Sequence, residues 1–272
     1  MNNLVSYQRY QQGDKKSELF LGDATYFLKS LDSGIASIVF LDPPFNLGKR
    51  YSDNDDLLDN RTPEEYNHWL KEILTESIRV LMKGGALYLY HLPSWAIHFG
   101  SFLKTRLTFR HWIAISMKNG FARGNYLYPA HYALLYFTKG EPINFIRPHI
   151  KPSTCRHCGG MIKDYGGYQS IINEKGINLS DFWEDLSPVR HSNTKLRSAN
   201  QLPIKMLQRV IEISGTPGSL YVDPFSGTGT GIIAALELGM YFSACDIVES
   251  NCELIHDRII NAGFDFEGDN NV

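Results

Sequence analysis

Residues 219–238 read SLYVDPFSGTGTGIIAALEL, an apolar run, a turn rich in Gly and Thr, and a second apolar run. Ser219–Val222 suits a buried strand and Gly231–Leu238 a helix. Between them, Gly227 and Gly229 permit a sharp turn that brings main-chain N–H groups at a helix N-terminus close to a ligand, with Phe225 and Thr230 beside them. The next strand is Tyr241–Cys245, and Asp246 ends it 23 residues after Asp223, where an acid reaches ribose hydroxyls. No Gly-Lys-Ser/Thr follows, which disfavours a triphosphate cradle. A plain Gly-rich strand-to-helix turn is the alternative.

The same alternation extends outward. Glu18–Leu21, Ala36–Leu41, Ala86–Tyr90, Trp112–Met117 and Tyr132–Phe137 read as strands; Gln201–Ser214 and Glu249–Ile260 read as helices. Thr62, Pro63 and Glu65 form a capping-box start for a helix that carries Tyr66, Trp69, Leu70, Ile73, Leu74, Ile78 and Leu81 on one face, and Gly84-Gly85 is expected to end it. Strands alternating with helices indicate an α/β fold. The expected division is 1–144 and 201–272 as two halves of one domain, with a polar, irregular insert at 145–200.

A second loop follows the apolar strand that ends at Leu41: Asp42-Pro43-Pro44-Phe45-Asn46. An acid at the carboxyl end of a buried strand faces the crevice where open α/β sheets bind ligands. The prolines stiffen the loop into a shelf with a carboxylate, a carbonyl at Pro43 and an aromatic ring at Phe45, suited to a planar group with N–H donors at its edge. The plainer alternative is an N-capping Asp, a Pro-rich turn and a core Phe.

The formal charge of −2 hides three unlike segments. Residues 1–144 hold 16 Lys/Arg and 14 Asp/Glu (+2), residues 145–210 hold 10 and 5 (+5), and residues 211–272 hold 1 and 10 (−9). An acidic end favours a cationic nucleoside over an anionic dinucleotide. The basic middle suits phosphate contacts, with an ordinary solvated surface as the alternative. The N-terminus does not read as a signal peptide and no stretch reaches membrane-spanning length, so no membrane partner is expected. Four cysteines make no disulfide framework, so a reducing, cytoplasmic setting is expected.

Asp-Pro-Pro-Phe followed by Asp-Pro-Phe-x-Gly-x-Gly resembles the S-adenosyl-L-methionine-dependent DNA amino-methyltransferases. The order of the two loops is similar to that family's permuted beta class, and the likeness covers about residues 18–262. It implies a Rossmann-like methyltransferase fold, a mixed, mostly parallel sheet with helices on both faces. It also implies methyl transfer to N6 of adenine in DNA, with N4 of cytosine as the alternative. Asp42 and the Pro43 carbonyl would accept from the amino group, with Pro44 holding the shelf and Phe45 stacking on a flipped base. Tyr51 either lines that pocket or sits in a solvated loop. Asp23, Asp223, Phe225, Gly227, Gly229, Thr230, Asp246, Asn200 and Gln201 are the expected cofactor contacts. Near Asn200, the family often has His and Thr-x-Lys-Pro; His191, Thr194 and Lys195 are present without the Lys-Pro pair.

Target recognition in this family implies DNA contacts from the insert, through Arg147, Lys151, Arg156, Lys163, Arg190, Lys195 and Arg197. Lys163–Tyr168, Gly176–Asp181, Trp183 and Pro188–His191 look like one branch, the adenine methylases of GATC restriction systems that also accept single strands. That branch implies double- and single-stranded DNA as substrate, and a companion endonuclease at the same site; a homodimer is a further expected partnership. Cys155-Arg-His-Cys158 resembles half of a zinc knuckle, with His149, His157 or His191 to complete it, but no spacing compels a metal and none is assigned. A zinc-ribbon DNA-binding module without catalysis is the alternative from another class.

Overall fold

A computed structural model describes residues 4–12, 14–48, 60–116, 124–125, 127–155, 157–162, 167, 172, 176–186 and 201–264. In chain order the elements are β1 (Val5–Gln12), β2 (Lys15–Leu21), α1 (Ala24–Ser30), β3 (Ala36–Leu41), α2 (Pro63–Val80) and β4 (Leu81–His91). Then come α3 (Pro93–Lys104), β5 (Thr108–Ser116), β6 (His131–Thr138), β7 (His149–Ile150), β8 (Ile177–Asn178) and β9 (Phe182–Trp183). The chain continues through α4 (Ile204–Ser214), β10 (Leu220–Asp223), α5 (Thr230–Glu237), β11 (Tyr241–Asp246) and α6 (Glu249–Asn261). Among the described residues nine strands form one sheet in the order β1-β2-β11-β10-β3-β4-β6-β5-β9. From β2 to β4 all neighbours are parallel, while β1 and β6 run antiparallel to theirs.

The sheet is covered on both faces, which is why β3 is buried at every position, with Ser37 its one polar residue. Ile38 and Phe40 pack under α4, α5 and α6, whereas Val39 and Leu41 pack under α1, α2 and α3. From β10 the chain crosses through α5 to β11; from β3 it crosses the other way through α2 to β4. The sheet therefore reverses its winding between β10 and β3, which opens a crevice at their carboxyl ends.

Several boundaries differ from the sequence reading. The capping box at Thr62 forms, with Glu65 N–H donating to Thr62 Oγ1 at 3.2 Å and Thr62 N–H donating to Glu65 Oε2 at 2.9 Å. The helix stops at Val80, however, and Gly84-Gly85 lie inside β4 rather than at a helix end. Gly84 has φ +77°, and a Cβ there would lie 2.8 Å from the Glu141 carbonyl, while one on Gly85 would lie 2.9 Å from the Ala36 carbonyl, so the pair accommodates the irregular register of β4 against β3. Helix α4 begins at Ile204, three residues after Gln201, because Pro203 is its extended N-cap. Strand β1 and helices α1 and α3 have no counterpart in the sequence reading. Met117, the expected end of one strand, lies outside the described residues.

Strand β9 continues the main sheet beyond β5, and Trp183 and Leu186 sink into the core. Just after β9, Asp185 accepts from Lys205 Nζ at 2.6 Å and from both Nη1 and Nη2 of Arg209, whose guanidinium lies over the Trp183 ring. Arg209 is only 4% exposed, so this pair staples the end of β9 to α4. Hydrogen bonds from Arg209 hold the Asp185 carboxyl well below the usual carboxylate range. Asp185→Asn is expected to lower stability by about 2 kcal/mol, since it leaves a buried guanidinium short of its counter-charge. The depressed carboxyl contributes its stability above the usual carboxylate pKa and loses it as pH falls. Urea denaturation should therefore show wild type and variant converging in acid; a constant gap would contradict the pairing.

Candidate active site

Four adjacent parallel strands each deliver an aspartate to the crevice: Asp23 after β2, Asp246 ending β11, Asp223 ending β10 and Asp42 after β3. Two cavities open there. The larger, about 800 Å³ to its open mouth, is walled by Asp23, Asp42, Pro43, Pro44, Trp69, Phe225, Asp246, Val248 and Asn251. The smaller, about 320 Å³, runs under the glycine loop between Asp42, Gln201, Asp223, Phe225, Gly227, Thr228 and Thr230. Asp42 and Phe225 wall both cavities.

The carboxylates are held mainly by main-chain donors. Asp246 accepts from Gly227 N–H at 2.7 Å, from Val248 N–H at 2.9 Å and from Asn251 Nδ2 at 2.9 Å. It thus ties the glycine loop to the end of β11. Asp223 accepts from Phe225 N–H and from the Tyr221 hydroxyl, each at 3.1 Å. Burial pushes its carboxyl up to about 7, against the pull of those two hydrogen bonds, and Asp42 and Asp246 push the same way. Asp23 caps α1, accepting from Thr25 N–H at 2.8 Å. Gly229, at φ +73°, is the N-cap of α5; a Cβ there would lie 2.8 Å from Ile255 Cγ1, so both the backbone and the space require glycine. Arg258 reaches over from α6 and donates to the Thr228 carbonyl.

The Pro-Pro loop is braced differently. The Tyr66 hydroxyl on α2 donates to the Pro44 carbonyl at 2.5 Å and lies 2.7 Å from His91 Nε2. Asn46, at φ +56°, pairs its side-chain amide with the main chain of Arg61, accepting from Arg61 N–H and donating to its carbonyl, both at 2.8 Å. Phe45 is only 4% exposed; its ring stacks on His91 at 4.9 Å and meets Tyr90 and Tyr132 at 5.9 and 5.8 Å. Its packing is that of a core residue that also lines the larger cavity.

The structure brings Asp23, Asp42, Pro43, Pro44, Phe45, Gln201, Asp223, Phe225, Gly227, Thr230 and Asp246 to the two cavities, whereas Gly229, an expected contact, lines neither and packs against Ile255. Trp69, Tyr66, His91, Val248 and Asn251 were absent from the site as read in sequence. Trp69 and Tyr66 carried one signal, their position on the helix that follows the Pro-Pro loop. Trp69 meets Phe225 edge-on at 5.8 Å, with the Arg61 guanidinium 4.4 Å above its ring. In the insert, Arg147 and Lys151 are exposed and away from both cavities. Tyr51, Arg156, Lys163, Arg190, His191, Thr194, Lys195, Arg197 and Asn200 lie outside the described residues.

Cys155 and Cys158 sit on a tight turn, with Gly159 N–H donating to the Cys155 carbonyl at 2.9 Å and Cys155 N–H to the Gly160 carbonyl at 2.7 Å. Main-chain donors from Cys158 and His157 lower the Cys155 thiol. Among the described residues no group of three or more metal-ligand side chains gathers. Cys245 and Cys252 are buried, and burial pushes the Cys252 thiol up to about 12. Also among the described residues, no helix is long and apolar enough to cross a membrane.

Residues 36–257 match the N6/N4 DNA methylase family model. The chain is 40% identical over 245 residues to the type II methyltransferase M.BamHI of Bacillus amyloliquefaciens, covering 90% of this chain and 57% of that protein. It is 24% identical to the DNA adenine methyltransferase YhdJ of Escherichia coli K12, over 86% of this chain and 80% of that one. Among solved structures, the putative DNA modification methylase TTHA0409 of Thermus thermophilus, complexed with S-adenosyl-L-methionine, superposes with a TM-score of 0.58. That match is 19% identical and covers 90% of this chain and 95% of the other, which shows a shared fold.

The raised carboxyl of Asp223 makes stability depend on pH. A carboxyl whose pKa rises on folding, here from about 3.8 to about 7, contributes stability that is full below the lower value and is lost as pH rises through the higher one. Asp223→Asn should therefore flatten the fall of Tm across that window. Parallel Tm–pH curves for wild type and variant would show that the carboxyl is not raised.

Proposed function

The chain belongs to the N6/N4 DNA methylase family, and from that premise we propose that it transfers a methyl group from S-adenosyl-L-methionine to the exocyclic N6 of adenine in DNA. One observation carries the reading: Asp42 and Phe225 wall both cavities, so a ligand filling the two passes directly beside the Asp42 carboxylate.

The residues fit the donor. Among the described residues the lining of the two cavities includes four aspartates and no Lys or Arg, which suits a cation better than a phosphate. Asp23, Asp246 and Phe225 would hold the nucleoside end in the larger cavity, and Gln201, Gly227 and Thr230 the amino-acid end. Asn200 would join them. When bound, S-adenosyl-L-methionine supplies an activated methyl group on a sulfonium.

The chain's own residues do the remaining work. An aromatic amino group is a poor nucleophile because its lone pair is delocalised into the ring. Asp42 and the Pro43 carbonyl accept its two N–H groups and draw the nitrogen toward tetrahedral geometry, freeing the lone pair. The Asp42 carboxylate also stabilises the positive charge that grows on nitrogen, help aimed at the transition state. Paired bases are stacked, so the target must be flipped out, at a cost of a few kcal/mol. It then reaches the Pro-Pro loop, where Phe45 lines the larger cavity.

Adenine rather than cytosine N4 is supported by the carboxylate at Asp42 and by the likeness of residues 163–191 to the GATC adenine methylases. On the same reading, the basic side chains of the insert contact DNA phosphates, and the enzyme works in the cytoplasm beside an endonuclease at a shared site.

Asp42→Ala is expected to abolish transfer of labelled methyl to DNA while calorimetric binding of S-adenosyl-L-methionine stays largely intact; near-wild-type turnover would sink the mechanism. Asp246→Ala should weaken cofactor binding about ten-fold or more by releasing the Gly227 amide, with little effect on DNA binding. Hydrolysing DNA from a methylation-free host that expresses the protein should yield N6-methyladenine. N4-methylcytosine would overturn the base assignment and leave the mechanism standing.

A further inference from the structure

The Pro-Pro loop is held from beneath by a chain of hydrogen bonds with one direction. His91 closes β4 and is wholly buried. Leu92 N–H donates to its Nδ1 at 2.7 Å, so that nitrogen carries no proton. Burial drives the imidazole down to about 3, which keeps it neutral and leaves its single proton on Nε2. Nε2–H therefore donates to the Tyr66 hydroxyl at 2.7 Å, and Tyr66 turns its own proton to the Pro44 carbonyl at 2.5 Å. The imidazole also packs on Phe45 and Phe99, with ring centroids at 4.9 and 6.2 Å and tilts of 26° and 29°.

The consequence falls one peptide upstream. Pro43 and Pro44 have φ locked by their rings. The loop is anchored by β3 on one side, and the Tyr66 hydrogen bond anchors the Pro44–Phe45 peptide on the other. The Pro43 carbonyl lies between these anchors, with little rotation left to it. We propose that Tyr66 and His91 are positioning residues for methyl transfer, which together aim the Pro43 carbonyl at the amino group of the target base. The inference rests on the reading of Pro43 as an acceptor for that group. Neither side chain needs to touch the base or the cofactor.

Tyr66→Phe removes only the hydroxyl. Amide hydrogen exchange at Phe45 and Asn46 should quicken about ten-fold, as expected when a local brace is lost. Single-turnover methyl transfer should fall by about ten-fold or more through misorientation, with the Kd for S-adenosyl-L-methionine unchanged within about two-fold. His91→Gln keeps an N–H donor for Tyr66 and should recover most of the rate, whereas His91→Leu should not. Unchanged exchange in Tyr66→Phe overturns the inference whether or not the protein is active. So does quickened exchange with an unchanged rate, or equal rates for the two His91 variants. Quickened exchange in a protein whose wild type transfers no methyl group would uphold the hold on the loop and overturn the chemistry assigned to it.

Discussion

Negative charge is concentrated where the sheet can least hydrate it. Asp223 and Asp246 are 4% and 8% exposed, and Asp42 and Asp23 stand at the ends of the neighbouring strands. Among the described residues no basic side chain lines the cavities between them, and main-chain donors meet much of the charge. Asp246 is satisfied by two backbone amides and one side-chain amide, and its geometry sets that of the glycine loop. Asp223 has two donors, and burial raises its carboxyl to about 7 against them. The crevice thus gathers four aspartates at one edge of the sheet. That property follows from strand order, because only neighbouring parallel strands deliver their carboxyl ends to one edge.

The two sides of the crevice are stiffened by different means. On the β10 side, glycines let the backbone close around a ligand, and Asp246 and Arg258 bind the resulting turn from opposite directions. On the β3 side, prolines remove backbone freedom, and Tyr66 and Asn46 clamp what remains. Each loop is therefore fixed by elements other than its own strand: α6 and β11 for one, α2 and β4 for the other. A contact between loop and helix survives only if both faces of the sheet are packed, so the core under α2 supports the site as directly as the loop residues do.

How far the fold was legible follows from where its signals lie. Strand β3 reads plainly as an apolar run broken only by Ser37, without alternation, since both its faces are covered. The Thr62 capping box is equally plain, because all of its hydrogen bonds are local. Gly84-Gly85 reads wrongly for the opposite reason: two glycines after an apolar helix look like a stop, but here Gly84 makes room for residues 141–143 and Gly85 for Ala36, all distant in sequence. Asp23 shows a related ambiguity. It lines the larger cavity, yet its carboxylate also caps α1, a helix too short for its periodicity to be read.

The site divides in the same way. Its acids and glycines are visible in sequence because the chemistry of a loop is carried by consecutive residues. Its brace is not, because Tyr66 and His91 each look like an ordinary core residue until α2 and β4 bring them together, 25 positions apart. The charge count behaves alike. A net of −2 argues against nucleic acid only if charge is evenly spread, and the −9 segment supplies Asp223 and Asp246 at the strand ends. Most of the remaining acids in that segment lie elsewhere, Glu249 and Glu253 on the exposed surface of α6 among them. The sum of charges along the chain therefore says little, whereas the two acids that matter are singled out by ending neighbouring parallel strands.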